Sequence, residues 1–350
     1  MPLTSPRKPW HAHITIDLLA DVAGYTIFHP FVAWIIPLCL RAQATPYTHT
    51  SFRVSVGYAV TLTLLYVLSY INQRIAYGLP RDVDLSEEVI VITGGANGLG
   101  LLIAEVYGMR GASVAVLDIN GIEAAEEKGI TYYKCDVGDR AQLEAVAKLI
   151  EKDLGPPTIL INNAGIAPNC PLLSLPPSEL DRNFRVNLLA HYHTLQLFLP
   201  HMLSSENGGT IVTVASVLGH LGAARLSAYT AAKAGLIAMH TSLCAELRQH
   251  PNGGAVKTIL VTPGQLATDL FADVRTPSQF LGPLVEPVVL AKEIVRMVDA
   301  GEGGEISFPL YARWAKLIGV LPVGLQWVLR SLAGVDRAMG EAADRVSKKD

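Results

Sequence analysis

The sequence predicts an α/β domain built on a doubly wound parallel sheet, preceded by hydrophobic segments and followed by an amphipathic extension. Three observations lead to this prediction. Short runs of β-branched residues alternate with helical patterns through the middle of the chain, which is typical of a parallel sheet with crossover helices. A glycine-rich turn joins the first of these runs to the helix behind it. Two long stretches near the amino terminus carry no charged residue.

Composition and charge narrow the classes of function. The chain has 350 residues, of which 50% are hydrophobic and 17% charged, and its mean hydropathy is +0.32. The formal net charge of -3 gives no indication of the basic surface that a nucleic-acid-binding protein needs. Cys39, Cys135, Cys170 and Cys244 lie far apart, without the spacing of a metal site or a disulfide framework. We therefore expect no bound metal, and a reducing compartment around the catalytic domain.

Residues 1–80 are predicted to attach the chain to a membrane. The segments Val22–Leu40 and Val54–Ile71 are apolar and close to the roughly twenty residues that span a bilayer. Pro30 and Pro37 would break the first as a spanning helix, so it can instead be re-entrant or interfacial. The alternative is a helical hairpin buried against the rest of the protein. Arginines flank both segments evenly, so the topology stays open.

The glycine-rich turn predicts a dinucleotide site. The strand Val89–Thr93 leads directly into TGGANGLG at Thr93–Gly100, and a helical pattern follows. In such a turn, backbone N–H groups can approach a pyrophosphate at the amino end of the helix. Gly94 would make the turn, Gly98 would permit the close approach, and Gly100 would let the helix pack tightly on the strand.

An acidic residue follows the second strand. The strand Ala112–Leu117 ends at Asp118, near the spacing at which a carboxylate binds the adenosine ribose hydroxyls. That carboxylate would repel a 2′-phosphate, and no Arg or Lys stands in the glycine turn or directly after Asp118. NAD is therefore favoured over NADP. The alternative for Asp118 is a solvated loop acid.

The alternation of strands and helices continues. A third strand, Ile130–Cys135, ends in Asp136–Val137, where the acid could meet the adenine edge. Apolar residues at helical spacing predict a helix over Ala141–Leu154. The fourth strand, Thr158–Ile161, ends in Asn162–Gly165. All these strand ends should meet at one edge of the sheet.

A polar triad is predicted at the same edge. The strand Thr210–Ala215 ends at Ser216, and a helix opening near Tyr229 also carries Lys233, four residues on and on the same face. A hydroxyl, a phenol and an ammonium together suit proton transfer to or from a carbonyl oxygen. Lys233 and a cationic nicotinamide should favour the phenolate of Tyr229. Taken one at a time, Tyr229 would ordinarily be interpreted as a core residue and Lys233 as a surface residue of the helix.

These residues resemble the short-chain dehydrogenase/reductase family. The resemblance covers about Glu87 to Ser307, within a predicted catalytic domain of residues 87–308. An apolar amino terminus together with Asp118–Asn120 resembles the membrane-associated retinol and hydroxysteroid dehydrogenases. The matching motifs are TGGANGLG, Asn-Asn-Ala-Gly at Asn162–Gly165, Ser216, Tyr229-x-x-x-Lys233 thirteen residues later, and PGQLAT at Pro263–Thr268.

The resemblance implies a role for each site residue in a Rossmann fold. Tyr229 would be the catalytic acid/base, Lys233 its activator and a ribose ligand, and Ser216 the hydrogen-bond partner of the substrate oxygen. Asn187 would hold a water in the proton relay. The predicted cofactor-binding set is Thr93, Gly94, Asn97, Gly98, Leu99, Gly100, Asp118, Asp136, Val137, Asn163, Ala164, Gly165, Tyr229, Lys233, Pro263, Gly264, Leu266 and Thr268.

The last third of the chain should close the site. Prolines and glycines space Asp269–Pro287, where a mobile substrate lid would lie. A helix Val288–Ala300 and a strand Glu305–Phe308 should complete the sheet. Apolar residues keep helical spacing in the extension at residues 309–350, broken at Pro322, before a polar tail. This extension is either an interfacial helix that delivers apolar substrate or a cover packed on the catalytic domain.

Together these features predict a membrane-associated, NAD-preferring oxidoreductase that interconverts an alcohol and its ketone or aldehyde. A lipophilic substrate is expected: a retinoid, a steroid, a fatty alcohol, or a terpenoid or polyketide intermediate. The expected location is the endoplasmic reticulum or a lipid droplet, and the resemblance extends to a homodimer. Two alternatives are a biosynthetic ketoreductase tethered to a membrane and a catalytically idle, dinucleotide-binding membrane scaffold.

Overall fold

A computed structural model describes residues 14–271, 274, 276 and 278–346. Two compact units make up the chain: residues 1–78 with 279–281, and residues 79–278 with 282–350. Residues 272, 273, 275 and 277 of the predicted lid lie outside the described residues, as does the predicted polar tail at 347–350.

The amino-terminal unit contains three helices: α1 (Ile16–Tyr25), α2 (Pro30–Ala42) and α3 (Thr50–Tyr77). A bend of 51° separates α1 from α2, and Pro30 begins α2, where its missing N–H costs no hydrogen bond. Pro37 lies inside α2, so the prediction that it breaks the helix is wrong. One missing donor does not end a helix that packs along its length on α3.

The helix α3 contains the whole second apolar segment predicted from the sequence. It has 28 residues, and only 11% of its most apolar window is buried. Among the described residues, α3 is long and apolar enough to cross a membrane, and the bent pair α1–α2 would add a second span if it crosses as one. This finding rests on length and composition.

The catalytic unit is organised by a parallel sheet of seven described strands, which confirms the predicted doubly wound fold. Their spatial order is β3-β2-β1-β4-β5-β6-β7, so the order reverses beside β1. Ligands in such sheets bind outside the carboxyl ends of the strands at this point. The strands are β1 (Val89–Thr93), β2 (Ser113–Asp118), β3 (Ile130–Lys134), β4 (Ile159–Asn162), β5 (Gly209–Val214), β6 (Val256–Val261) and β7 (Gly304–Ile306).

Helices cover both faces of this sheet. In β1, Ile90 and Ile92 face one apolar core and Val91 the other, as the two-residue period of a strand requires. The helices of this unit are α4 (Gly98–Met109), α5 (Arg140–Asp153), α6 (Pro177–Phe184), α7 (Ala190–Ser204), α8 (Leu218–Leu221), α9 (Ser227–Gln249), α10 (Pro287–Asp299), α11 (Leu310–Ile318), α12 (Val323–Ala333) and α13 (Val335–Val346).

The predicted elements are present, with ends displaced by a few residues. The largest shift is in α4, which begins at Gly98 rather than Leu101, so the end of the glycine turn already forms the first helical turn. The predicted break at Pro322 is confirmed, because this proline lies between α11 and α12. Proline is well tolerated just before a helix, where its missing N–H costs no hydrogen bond, but it cannot continue a preceding helix.

Candidate active site

The glycine turn has the shape that a dinucleotide requires. Gly94 has a positive φ of +65°, its N–H donates to Leu117 O at 2.8 Å, and a Cβ there would lie 2.7 Å from Ala164 Cα. A Cβ on Gly100 would collide with Gly94 O, which agrees with its predicted packing role. Any larger side chain at either position would displace the turn from the strand ends.

The residues after β4 are held in place by Thr93. Its Oγ1 accepts hydrogen bonds from Asn163 N at 3.0 Å and Ala164 N at 3.2 Å, and its side chain is buried. The Asn163 amide donates to Gly94 O at 2.8 Å, which joins the two loops. Thr93 was predicted to contact the cofactor, but it lies behind the cleft and positions the residues that line it. It ends β1 with its side chain directed into the protein.

Asp118 lies at the end of β2, as predicted. Its Oδ2 accepts from Ala96 N at 3.0 Å and its Oδ1 from Asn120 N at 2.9 Å. These two bonds fix a carboxylate at the rim of the cleft, beside the glycine turn. Each oxygen keeps a lone pair for a further donor, such as a ribose hydroxyl.

Asp136 and Val137, which were predicted to meet the adenine, line the cleft. The Asp136 Oδ1 accepts from Gly138 N at 2.9 Å, so part of its capacity is used within its own turn. Arg182, on α6, also lines the cleft. Sequence reasoning missed Arg182, because it stands in no motif and only the packing of α6 brings it to Asp136.

Ser216, Tyr229 and Lys233 converge at the end of β5. Ser216 Oγ accepts from Leu218 N at 3.2 Å, and a further hydrogen bond links its side chain to Tyr229. Lys233 Nζ donates to Val214 O at 2.8 Å and lies 5.8 Å from the centroid of the Tyr229 ring. All three side chains are buried. The predicted triad is thus assembled in one place.

Burial controls the proton affinities of this group. It raises the pKa of Tyr229 to about 12, and the hydrogen bond with Ser216 acts in the opposite direction. Burial also lowers the pKa of Lys233 to about 8. The phenol therefore keeps its proton at neutral pH unless another positive charge enters the cleft.

Asn187 lies in a π-helical turn, Arg185–Leu189, between α6 and α7. Its Oδ1 accepts from Ile166 N at 2.9 Å and its Nδ2 donates to Ile166 O at 2.7 Å. The amide therefore locks the backbone next to Gly165 and does not itself line the cleft. A Cβ on Gly165 would lie 3.2 Å from Asn187 Oδ1 and 3.7 Å from Lys233 Nζ. A glycine at this position therefore leaves space between the side chains of Asn187 and Lys233.

The segment after β6 forms the opposite wall. Gly264, Leu266 and Thr268 line the cleft, whereas Pro263 lies behind it and its carbonyl accepts from Val217 N at 2.9 Å. That bond ties the segment to the loop that follows Ser216. The side-chain carbon Cγ2 of Thr268 approaches Gly98, where a Cβ would be 3.3 Å away.

The cleft fits a dinucleotide. Its volume is about 610 Å³, and all predicted site residues line it except Thr93, Gly100, Asn187 and Pro263. Open glycine backbone and a carboxylate after the second strand suit a nicotinamide dinucleotide. Among the residues that the structure describes, no cluster of three or more His, Cys, Asp or Glu side chains could hold a metal ion.

Apolar side chains form a cluster with Tyr229. Phe271 contacts the tyrosine ring edge to face, with centroids 5.9 Å apart, and Met339 of α13 is buried in the same cluster. We call the partners of Tyr229 in this cluster the tyrosine wall. Sequence reasoning missed it, because no local pattern links α13 to α9. Its members are Leu226 and Met339, with Ala167, Leu218, Ala223, Phe271 and Val274.

A buried histidine also escaped sequence reasoning. His191 lies on α7, one turn after Asn187, and neither ring nitrogen has a hydrogen-bond partner among the described residues. Burial, with a smaller contribution from the Lys233 charge, lowers the pKa of His191 well below its usual value. The imidazole is therefore neutral.

Comparison with known proteins places the chain in a family. Residues 88–279 match the model of the family described as short chain dehydrogenase. The uncharacterized oxidoreductase TDA5 of Saccharomyces cerevisiae is 32% identical over 314 residues, which are 87% of this chain and 96% of that protein. The chain belongs to the short-chain dehydrogenase family. It is therefore an oxidoreductase of CH–OH groups that uses NAD or NADP and acts on a small molecule.

Other members show how widely the family resemblance extends. Retinol dehydrogenase 10 of Homo sapiens is 32% identical over 255 residues, 63% of this chain and 74% of that protein. The ligand-free aldohexose dehydrogenase of Thermoplasma acidophilum superposes with a TM-score of 0.56 at 25% identity, over 64% of this chain and 93% of that one.

Proposed function

We propose that this short-chain dehydrogenase is attached to a membrane by its amino-terminal unit and oxidises or reduces a lipophilic substrate with NAD. The observation that carries the proposal is the tyrosine wall. Apolar side chains pack around Tyr229, and one of them, Phe271, also lines the dinucleotide cleft. A substrate that places its reacting oxygen against this phenol must also bury carbon atoms against Phe271 and Met339.

Each polar residue has a proposed task in this reaction. In oxidation, the Tyr229 oxygen takes the hydroxyl proton of the alcohol and Ser216 holds the oxygen that becomes the carbonyl. The bound nicotinamide supplies the hydride acceptor and a positive charge. Since the pKa of Tyr229 is raised to about 12 by burial, that charge is needed before the phenolate can form near neutral pH. Lys233, held by Val214 O, keeps further N–H donors for the cofactor ribose.

The cofactor preference is proposed from Asp118. Its carboxylate is fixed by two backbone N–H groups and faces the cleft, where a 2′-phosphate would meet a negative charge. The membrane attachment is proposed from α3, which exposes apolar side chains along 28 residues. The name of retinol dehydrogenase 10 supports a lipid-soluble alcohol as the substrate class. An endoplasmic reticulum or lipid-droplet location, and a homodimer, belong to the same proposal.

The test uses the full chain in detergent micelles and a panel of alcohols and ketones of increasing chain length. NADH fluorescence reports turnover, with NAD and NADP compared in parallel. We expect activity to rise with apolar length and Tyr229→Phe to lower turnover by about 10³-fold, within the usual range for losing a general acid/base. NADH binding to this variant should stay within about two-fold of the wild type.

Two results would contradict the proposal. Substantial turnover by Tyr229→Phe would remove the phenol from the mechanism. A preference for short polar alcohols over long apolar ones would remove the lipophilic substrate class, while leaving the dehydrogenase chemistry intact.

A further inference from the structure

The helix α11 buries its small residues and exposes its large apolar ones, which is unusual for a helix of a soluble domain. It buries Ala312 and Ala315 against Val217, while Trp314 is 62% exposed and Leu317 48% exposed. An amphipathic helix ordinarily hides its large apolar residues and exposes its small or polar ones. Its outward surface is therefore suited to another apolar environment.

The next helix, α12, extends the same property. Among its residues none is buried, and Trp327 and Leu332 are 66% and 78% exposed. Many exposed apolar residues on two successive helices are typical of an interaction site. We call the exposed apolar residues of this region the docking face. They are Trp314, Leu317, Val320, Val323, Leu325, Trp327, Val328 and Leu332.

The composition of the docking face favours a phospholipid surface. Residues 310–333 contain Arg313, Lys316 and Arg330 but no Asp or Glu, although the whole chain has a net charge of -3. Tryptophan and basic side chains are enriched where proteins meet the headgroup region of a membrane. Lys316 already pairs with Glu305, and Arg330 pairs with Asp336. Attraction of these two cations to anionic headgroups would therefore make a smaller contribution to membrane binding than the burial of the tryptophans.

The chain also limits the distance to a membrane. Eleven residues, 78–88, join α3 to β1. An extended chain of that length reaches at most about 40 Å. A linker of this length allows the catalytic unit to contact a bilayer that holds α3. A second copy of the chain has no comparable tether, and its docking face would carry the same excess of basic residues.

The docking face is joined to the active site by hydrogen bonds. Arg330 Nη1 donates to the carbonyls of Leu221 and Gly222, in the loop that leads from Ser216 to α9. Arg330 also binds Asp336 at 2.8 Å, and Asp336 Oδ1 accepts from Ala224 N at 2.9 Å. The same three-helix segment then supplies Met339 to the tyrosine wall. The helices that carry the docking face thus contact elements that enclose Tyr229.

We propose that the docking face inserts shallowly into a phospholipid surface and presents the tyrosine wall to substrate dissolved in the lipid. This inference rests on the proposed function, since it needs both a membrane and a lipophilic substrate. It adds a second, peripheral contact to the attachment through α3. A substrate then reaches Tyr229 from the lipid without crossing water.

The first experiment measures depth in the membrane. The full chain has four tryptophans, so the variant Trp10→Phe/Trp34→Phe retains only Trp314 and Trp327. It is reconstituted in vesicles of phosphatidylcholine and phosphatidylserine, with or without dibrominated phosphatidylcholine, and floated on a density gradient. We expect bromine to quench the emission by at least two-fold. Floating protein with unquenched emission would overturn the docking, and protein that does not float would overturn the membrane attachment as well.

The second experiment measures substrate delivery. Trp314→Ser/Trp327→Ser should raise KM for a long-chain alcohol dissolved in vesicles by about ten-fold, with kcat/KM for a short water-soluble alcohol unchanged within two-fold. The matched control is Val288→Ser/Val289→Ser, which removes exposed apolar side chains from α10. Equal effects of the two double variants would overturn the proposal, as would cross-linking of the docking faces of two chains in lipid-free micelles. Absence of turnover with any alcohol would instead contradict the proposed function, and the quenching result would still decide the docking.

Discussion

Replacing Asp118 by alanine should move the cofactor preference from NAD towards NADP. The carboxylate is held at the cleft rim by Ala96 N and Asn120 N, at 3.0 and 2.9 Å, and each of its oxygens can accept one more hydrogen bond. The substitution removes the acceptors for the adenosine ribose and also removes the charge that a 2′-phosphate would face.

The magnitude follows from these two losses. Hydrogen bonds to a charged group contribute about 1.5–3 kcal/mol. Two unit charges about 4 Å apart repel by about 1 kcal/mol in water and about 4 kcal/mol near a protein surface. Together the change should be about 2.5–7 kcal/mol, so the ratio of kcat/KM for NAD to that for NADP should fall by at least about 50-fold.

The assay compares initial rates with NAD and NADP at a fixed alcohol concentration. Asp136→Ala is the matched control, because it removes a second carboxylate of the cleft that also accepts a backbone N–H, from Gly138 at 2.9 Å. The control should change the ratio by less than about three-fold. An unchanged ratio for Asp118→Ala, or an equal change for the control, would refute the assignment of Asp118 to the ribose.

Two further predictions concern buried ionisable groups. Because burial lowers the pKa of Lys233 from 10.5 to about 8, the unfolded state binds this proton more tightly than the native state between those values. Lys233→Met should abolish turnover, because it removes the proposed partner of Tyr229 and the cofactor ribose. It should also raise the free energy of unfolding at pH 7 by up to about 3 kcal/mol. This gain should shrink as the pH rises from 8 to 10.5, and denaturant titrations in micelles at pH 7 and pH 10.5 check it. His191→Leu removes two unpartnered ring nitrogens and should leave the free energy of unfolding unchanged or about 1 kcal/mol higher. A loss above about 2 kcal/mol in the same titration would show that the imidazole has a buried partner, such as water.

The candidate site was predictable where its residues are set by local spacing. Tyr229 and Lys233 share a helix face because they are four residues apart, and Ser216 follows a strand whose end must lie at the ligand edge. Local spacing does not set the direction of a side chain. Thr93 stands in the glycine motif, but its Oγ1 accepts a hydrogen bond from Asn163 N instead of lining the cleft. The side-chain oxygen and nitrogen of Asn187 both bond the backbone of Ile166. A residue's place in a motif does not determine which neighbour satisfies its hydrogen bonds.

The membrane and substrate assignments depended more on the tertiary structure. Apolar spacing in the carboxyl-terminal extension was compatible with a cover on the catalytic domain and with an interfacial helix. In the structure, Met339 of α13 shares a buried cluster with Tyr229, while α11 buries only alanines and exposes Trp314. Periodicity reports that a helix has an apolar face but not which of its residues find a partner.

By itself the sequence determined the alternation of strands and helices, the glycine turn, the Ser216–Tyr229–Lys233 spacing and the apolar helix α3. These features depend on residues close together in the chain, where backbone geometry and hydrophobic period decide the structure. Only the tertiary structure decided which side chains enclose Tyr229, how burial changes its proton affinity, and which face of α11 is left outward. Those properties arise from packing between elements distant in sequence, and the desolvation of a phenol or an ammonium is set by its whole surroundings.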